Sequence, residues 1–153
     1  MKVEYINPFV SSVQSVFKTM LGLELARGGL YVKDGLQPSH EVSGIIGLSG
    51  KAKGTVVLGM KTSLALHVTY LLTGEEYTQI DSHVTDAIGE LTNIIVGNAK
   101  CQLEALQMSI SLPSVISGKN HVIAYPTDSS PIGLPFECEH GTLSLDVSLV
   151  DCN

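Results

Sequence analysis

The chain has 153 residues, of which 44% are hydrophobic, with 15 Gly and 6 Pro, a composition that suits one packed domain spanning residues 1–153 and argues against disorder. A net charge of −6 without any basic run argues against nucleic acid or an anionic membrane as a partner. With no Trp and only eight aromatic residues, a base-stacking surface is poorly supported too.

The N-terminus reaches Asn7-Pro8 before any apolar run of signal-peptide length, and no stretch is long enough to span a bilayer. Cys101, Cys138 and Cys152 are odd in number and lack C-x-x-C spacing, which fits free thiols in a reducing compartment. The expected location is cytoplasmic.

Asn7 supplies an N-cap and Pro8 a first helical residue. Phe9, Val10, Val13, Val16, Phe17 and Met20 then continue an amphipathic pattern as far as Gly22. Short β-rich runs follow at residues 30–32, 42–48 and 55–58, punctuated by Asp34-Gly35 and Ser49-Gly50, and these predict three strands in a meander. Lys61-Thr62-Ser63 caps a second helix carrying Leu64, Val68, Leu71 and Leu72, which stops at Thr73-Gly74. A third, long helix is expected from Asp81 or Ser82 to near Leu106. Residues 110–116, 121–125, 134–139 and 143–150 read as further strands, the last alternating Leu143, Leu145, Val147 and Leu149 against Ser144, Asp146 and Ser148. This order predicts an α+β fold in which a largely antiparallel sheet is covered by helices.

The third helix carries the most telling pattern. At about 100° per residue, Asp86, Glu90, Asn93, Gly97, Lys100 and Glu104 fall within a sector roughly 80° wide. Val84, Ile88, Leu91, Ile95, Ala99 and Leu106 fall opposite, where an apolar stripe buries against a core. Glu90 and Asn93 are neighbours at i and i+3, with Gly97 a turn further on. A helix-interior Gly costs about 1 kcal/mol relative to Ala, which invites a packing or functional reason. On spacing alone, an ordinary solvated face with an incidental Gly is the favoured reading, because E-x-x-N recurs by chance in helices.

Other patterns argue themselves down. Gly47 to Thr55 contains glycines and lysines but not the ordered G-x-x-x-x-G-K-[ST] spacing, and strands flank it, so a hairpin turn is expected. His40, His67, His83, His121 and His140 lie on different elements without i, i+4 pairing, so no metal site is expected. Cys138-Glu139-His140 lacks a third ligand and reads as surface strand. No G-x-S-x-G elbow is present.

Three segments, in this order and at these distances, give the chain its likeness. Tyr5-Ile-Asn7-Pro8-Phe9 is followed by Val16-Phe17-Lys-Thr-Met20-Leu21, then by Gly50-Lys-Ala-Lys-Gly54-Thr-Val-Val-Leu-Gly-Met60, then by Glu90-Leu-Thr-Asn93 leading into Gly97-Asn98. Through about residue 113 the chain resembles the CheX family of chemotaxis phosphatases, related to CheC. One departure is Pro113: the CheC-type pattern places a proline twenty-odd residues after the amide, and here it comes slightly early.

The resemblance implies a homodimer whose substrate is a phosphorylated CheY-like response regulator. It implies Glu90 and Asn93 as catalytic residues, Asn93 holding the attacking water and Glu90 docking on the regulator's phosphate-binding lysine. Asp86, Gly97 and Lys100 on the same stripe are assigned to partner contact. No cofactor is expected on this chain, since the regulator brings its own Mg²⁺. The competing reading is a dimeric, inactive binding module that docks signalling proteins.

Overall fold

A computed structural model describes residues 2–34, 40–118, 121–125 and 130–152. In chain order the elements are α1 (Val3–Leu21), β1 (Ala26–Arg27), β2 (Tyr31–Val32), β3 (Val42–Ser49), β4 (Ala52–Met60), α2 (Thr62–Thr73) and α3 (Ser82–Cys101). A 3-10 turn (Glu104–Leu106) follows, then β5 (Ser109–Ile110), β6 (Ser114–Ser117), β7 (Ile132–Cys138) and β8 (Gly141–Asp151). The strands form one antiparallel sheet in the order β1-β7-β8-β4-β3-β5, with β2 also on β7 and β6 also on β3. The expected α+β architecture is what forms.

The core lies between one face of this sheet and the three helices. Phe9, Val13 and Phe17 of α1, Leu64 and Val68 of α2, and Ile88, Leu91 and Ile95 of α3 meet Ile46, Val56, Leu58, Leu145 and Val147 from the central strands. Full burial of side chains of this size is worth about 1.5–3 kcal/mol each. No helix among the described residues is long and apolar enough to cross a membrane.

Several local expectations are corrected. α1 begins at Val3 rather than at Pro8, which sits inside the helix. Pro8 forfeits only the one hydrogen bond it would have donated to Glu4, while the extra turn buries Tyr5 and Ile6. The stop at Gly22 is as expected: its φ of 67° lets its N–H donate to the Lys18 carbonyl and that of Leu23 to Phe17.

Tyr31-Val32 does not join a meander with β3. It pairs with β7, more than a hundred residues further on, in the register Tyr31↔Gly133. Of the Asp34-Gly35 turn, Gly35 lies outside the described residues. Residues 42–48 and 55–58 do form a hairpin, its register running from Val42↔Met60 to Leu48↔Gly54. The glycine-lysine segment is its turn, as expected.

The strand expected over residues 110–116 is broken at Ser111-Leu112-Pro113, and residues 121–125 are not a strand. Glu139-His140 is the two-residue turn of the β7–β8 hairpin rather than strand. On β8 the alternation holds, yet both faces are buried. Leu143, Leu145, Val147 and Leu149 enter the core, while Ser144, Asp146 and Ser148, at most 2% exposed, lie under other chain segments. There Lys33 pairs with Asp146 at 3.3 Å, and His40 bridges Thr142 and Ser144.

Candidate functional site

The third helix starts where its sequence says it should. The Asp81 carboxylate accepts from the N–H groups of His83 and Val84 at 3.0 and 3.1 Å, satisfying two donors that have no partner within the helix. From there the apolar stripe fixes which way the helix faces: Val84, Ile88, Leu91, Ile95 and Ala99 are fully buried. The opposite stripe is thereby turned outward.

On that outward side Asp86 and Glu90 are exposed, and Asn93, Gly97 and Lys100 are half-buried. Neither Glu90 nor Asn93 makes a side-chain hydrogen bond or ion pair among the described residues. A Cβ built at Gly97 would meet nothing within 4 Å, so open space lies beside the stripe there. The helix ends at Cys101 rather than near Leu106. Glu104 therefore leaves the stripe and sits in the 3-10 turn, and Leu106, expected on the buried side, is only partly buried against the core.

Two shallow clefts flank the stripe. One, of 250 Å³, is lined by Thr85, Asp86, Gly89, Glu90, Pro113 and Val115. Pro113 and Val115 supply its far wall, which packs at ordinary contact distance from Gly89: a Cβ there would lie 3.5 Å from each. Val115 was not singled out from sequence, because this wall comes from a segment distant in the chain, while Thr85 and Gly89, on α3 itself, fall outside the polar stripe. Pro113, noted there only for its spacing, takes its place beside Glu90. The second cleft, of 340 Å³, lies past Gly97 and is lined by Lys100, Cys101, Leu103, Glu104, Gln107 and Met108.

The chemistry available is that of one carboxylate and one carboxamide presented together. Asn93 offers both a donor and an acceptor without titrating, and Glu90 offers a charge. Among the described residues no group of three or more His, Cys, Asp or Glu side chains is placed to hold a metal.

Comparison with known proteins gives the arrangement a family. The family model for chemotaxis phosphatase CheX matches residues 42–137, which include the whole of α3 and both walls of the first cleft. A curated relative, the CheY-P phosphatase CheX of Thermotoga maritima, is 29% identical over 123 residues, covering 78% of this chain and 79% of its own. Among solved structures, a CheC-like superfamily protein from Shewanella sp. PV-4 superposes with a TM-score of 0.88 at 37% identity, over 97% of this chain and 99% of that one. The CheX of a CheX–CheY–BeF3–Mg²⁺ complex from Borrelia burgdorferi superposes at 0.82 with 28% identity, over 98% and 100%. With the match spanning well over half of its residues, the chain belongs to the CheX family of chemotaxis phosphatases.

Proposed function

We propose that this protein hydrolyses the aspartyl phosphate of a CheY-like response regulator, with Glu90 and Asn93 as its catalytic residues. The observation that carries this is the outward pairing on α3 of a carboxylate and a carboxamide, neither engaged elsewhere, beside a cleft open to a macromolecule. The relatives support it: one carries the name of a CheY-P phosphatase, and another is a CheX in complex with CheY, BeF3 and Mg²⁺.

An acyl phosphate is already labile, and the regulator brings the phosphoryl group, its Mg²⁺ and its own phosphate-binding groups as substrate. What this chain adds is position. Asn93 holds a water in line with the phosphorus, opposite the leaving carboxylate, as a glutamine does in GTPases. Glu90 forms a charge-assisted contact with the regulator's phosphate-binding lysine and fixes the register of the helix. Asp86, Gly97 and Lys100 contact the regulator along the same stripe. A hundredfold acceleration requires about 2.7 kcal/mol off the barrier, within reach of one or two placed hydrogen bonds.

On this reading the chain is a single cytoplasmic domain over residues 1–153 that works as a homodimer and carries no cofactor of its own. The one continuous core supports the single domain.

The test is phosphate release from a phosphorylated, Mg²⁺-bound regulator. Asn93→Ala should bind the beryllofluoride-activated regulator yet scarcely accelerate hydrolysis, whereas Glu90→Ala should lose both binding and rate. Equal rates for wild type and Asn93→Ala would remove the amide from the mechanism. Binding without any acceleration by the wild type would establish the inactive docking module instead, and a mass measurement in solution checks the dimer.

A further inference from the structure

We propose that Gly44 and Thr92 interlock to set the rotational phase of α3, and so act as positioning residues for Asn93. This rests on the phosphatase reading above and deepens it.

Gly44 is the third residue of β3, between Leu58 of β4 and Val115 of β6. Its backbone is not in the left-handed region, so glycine is needed there for space rather than for conformation. A Cβ at this position would lie 2.1 Å from Thr92 Oγ1, 3.2 Å from its Cβ and 3.4 Å from its Cγ2. Thr92 is fully buried, and its hydroxyl donates to the Ile88 carbonyl at 2.7 Å, which ties the side chain to its own helix. The threonine therefore fills the notch that Gly44 leaves in the sheet.

Thr92 immediately precedes Asn93 in the chain. Burial of Ile88, Leu91 and Ile95 holds α3 on the sheet, but aliphatic packing alone tolerates small rotations. A polar side chain seated in a notch one methyl group wide does not. A second contact acts one turn later: the buried Ser12 hydroxyl of α1 donates to the Ile95 carbonyl at 2.6 Å. Sheet and neighbouring helix thus grip α3 on either side of Asn93.

The functional consequence follows from geometry. At a side-chain radius of about 5–6 Å, a helix rotation of about 10° moves the Asn93 amide by about 1 Å. Misplacement on that scale costs on the order of a hundredfold in an oriented reaction. Glu90 is less sensitive, because its side chain has an additional rotatable bond and charge attraction falls off slowly with distance. The interlock therefore controls turnover more than docking.

The experiment compares Gly44→Ala, Thr92→Ala and the double variant with wild type. It measures turnover of saturating phosphorylated regulator and affinity for the beryllofluoride-activated form. Gly44→Ala should lower kcat tenfold or more with affinity within threefold. Adding Thr92→Ala to it should restore at least threefold of the lost rate, since removing the hydroxyl relieves the 2.1 Å overlap and leaves only the Cβ at position 92, 3.2 Å away.

An active wild type with Gly44→Ala equally active overturns the interlock alone, as does a rate loss that Thr92→Ala leaves unrelieved. So does a parallel fall in kcat and affinity. An inactive wild type overturns the phosphatase reading and the interlock with it. Should Gly44→Ala not fold, Ser12→Ala decides: a threefold or greater loss of kcat at unchanged affinity supports the phase argument, and unchanged kcat overturns it.

Discussion

The outer face of β8 carries the strongest test of how this sheet is held together. Lys33 and Asp146 face each other at 3.3 Å with side chains only 6% and 2% exposed, and the Lys33 backbone is pinned by its N–H donating to the Pro131 carbonyl. Taking both charges out of water is costly, and the pair recovers that cost only while both members are present. Lys33→Met removes a charge partner 3.3 Å from a buried carboxylate. Breaking such a pair costs about 3–5 kcal/mol, a large share of the roughly 5–15 kcal/mol by which a domain is stable. The double replacement Lys33→Met with Asp146→Leu removes both charges at similar volume and should return stability to within about 1 kcal/mol of wild type, or above it. Urea unfolding followed by circular dichroism gives both values, with m unchanged if only stability has moved. A single Lys33→Met costing less than about 1 kcal/mol would mean that water reaches the pair, and the covered outer face of β8 would be wrong. Because this face lies across the sheet from α3, the double variant should also keep wild-type phosphatase activity.

Two further outcomes follow from named groups. Asp81→Ala removes the side chain that caps α3 and should cost about 1 kcal/mol in the thermal or urea unfolding of the protein, with Asp81→Asn nearly neutral. His40, held 3.1 Å from Thr142 Oγ1 and 3.3 Å from Ser144 Oγ, has its pKa lowered chiefly by burial and then by Lys33 and Lys61. The unfolded chain therefore takes up the proton more readily. The stability His40 contributes is whole above its ordinary pKa of about 6.5 and is lost as the pH falls through the lower folded value. His40→Asn should flatten the dependence of the urea midpoint between about pH 7 and about pH 5, and an unaltered slope would remove His40 from the account.

What the sequence disclosed depended on whether a local period carried the information. The phase of α3 was legible because Val84, Ile88, Leu91, Ile95 and Ala99 recur at helical spacing, and all five are fully buried. The end of α3 was not, since neither Gly nor Pro marks residues 102–106. There the helix tightens into i to i−3 bonds, from Gln102 to Ala99 and from Leu103 to Lys100, and the Leu106 carbonyl accepts from Lys51 on the β3–β4 turn. A contact made by another element holds the segment that follows the helix, and helical periodicity contains no trace of it.

Strand pairing was lost for the same reason. Alternation around Tyr31 says that a strand is possible but not that its partner is β7. Gly44 was equally silent, being one glycine in a β-rich run until the fold sets Thr92 against it. The outward acid and amide were legible, whereas the Pro113 and Val115 wall beside Glu90 required the chain to return from β5.

The cavities of this molecule lie in an instructive relation to its chemistry. A 320 Å³ pocket opens on the sheet face away from the helices, among Tyr31, His40, Pro135, Thr142 and Ser144, while the cleft beside Glu90 is a shallow 250 Å³. For a small-molecule enzyme the more apolar of these two is the default site. A folded protein substrate reverses that expectation, because the regulator already encloses its phosphoryl group and metal and needs an inserted ridge rather than a vessel. Precision then moves from the shape of a cavity to the orientation of one helix. Three polar contacts bear on that orientation: the Asp81 cap, the Thr92 hydroxyl opposite Gly44, and the Ser12 hydroxyl on Ile95. If the proposed activity is correct, substitutions that fill the outer pocket leave turnover unchanged, and substitutions that rotate α3 without touching Glu90 or Asn93 lower it.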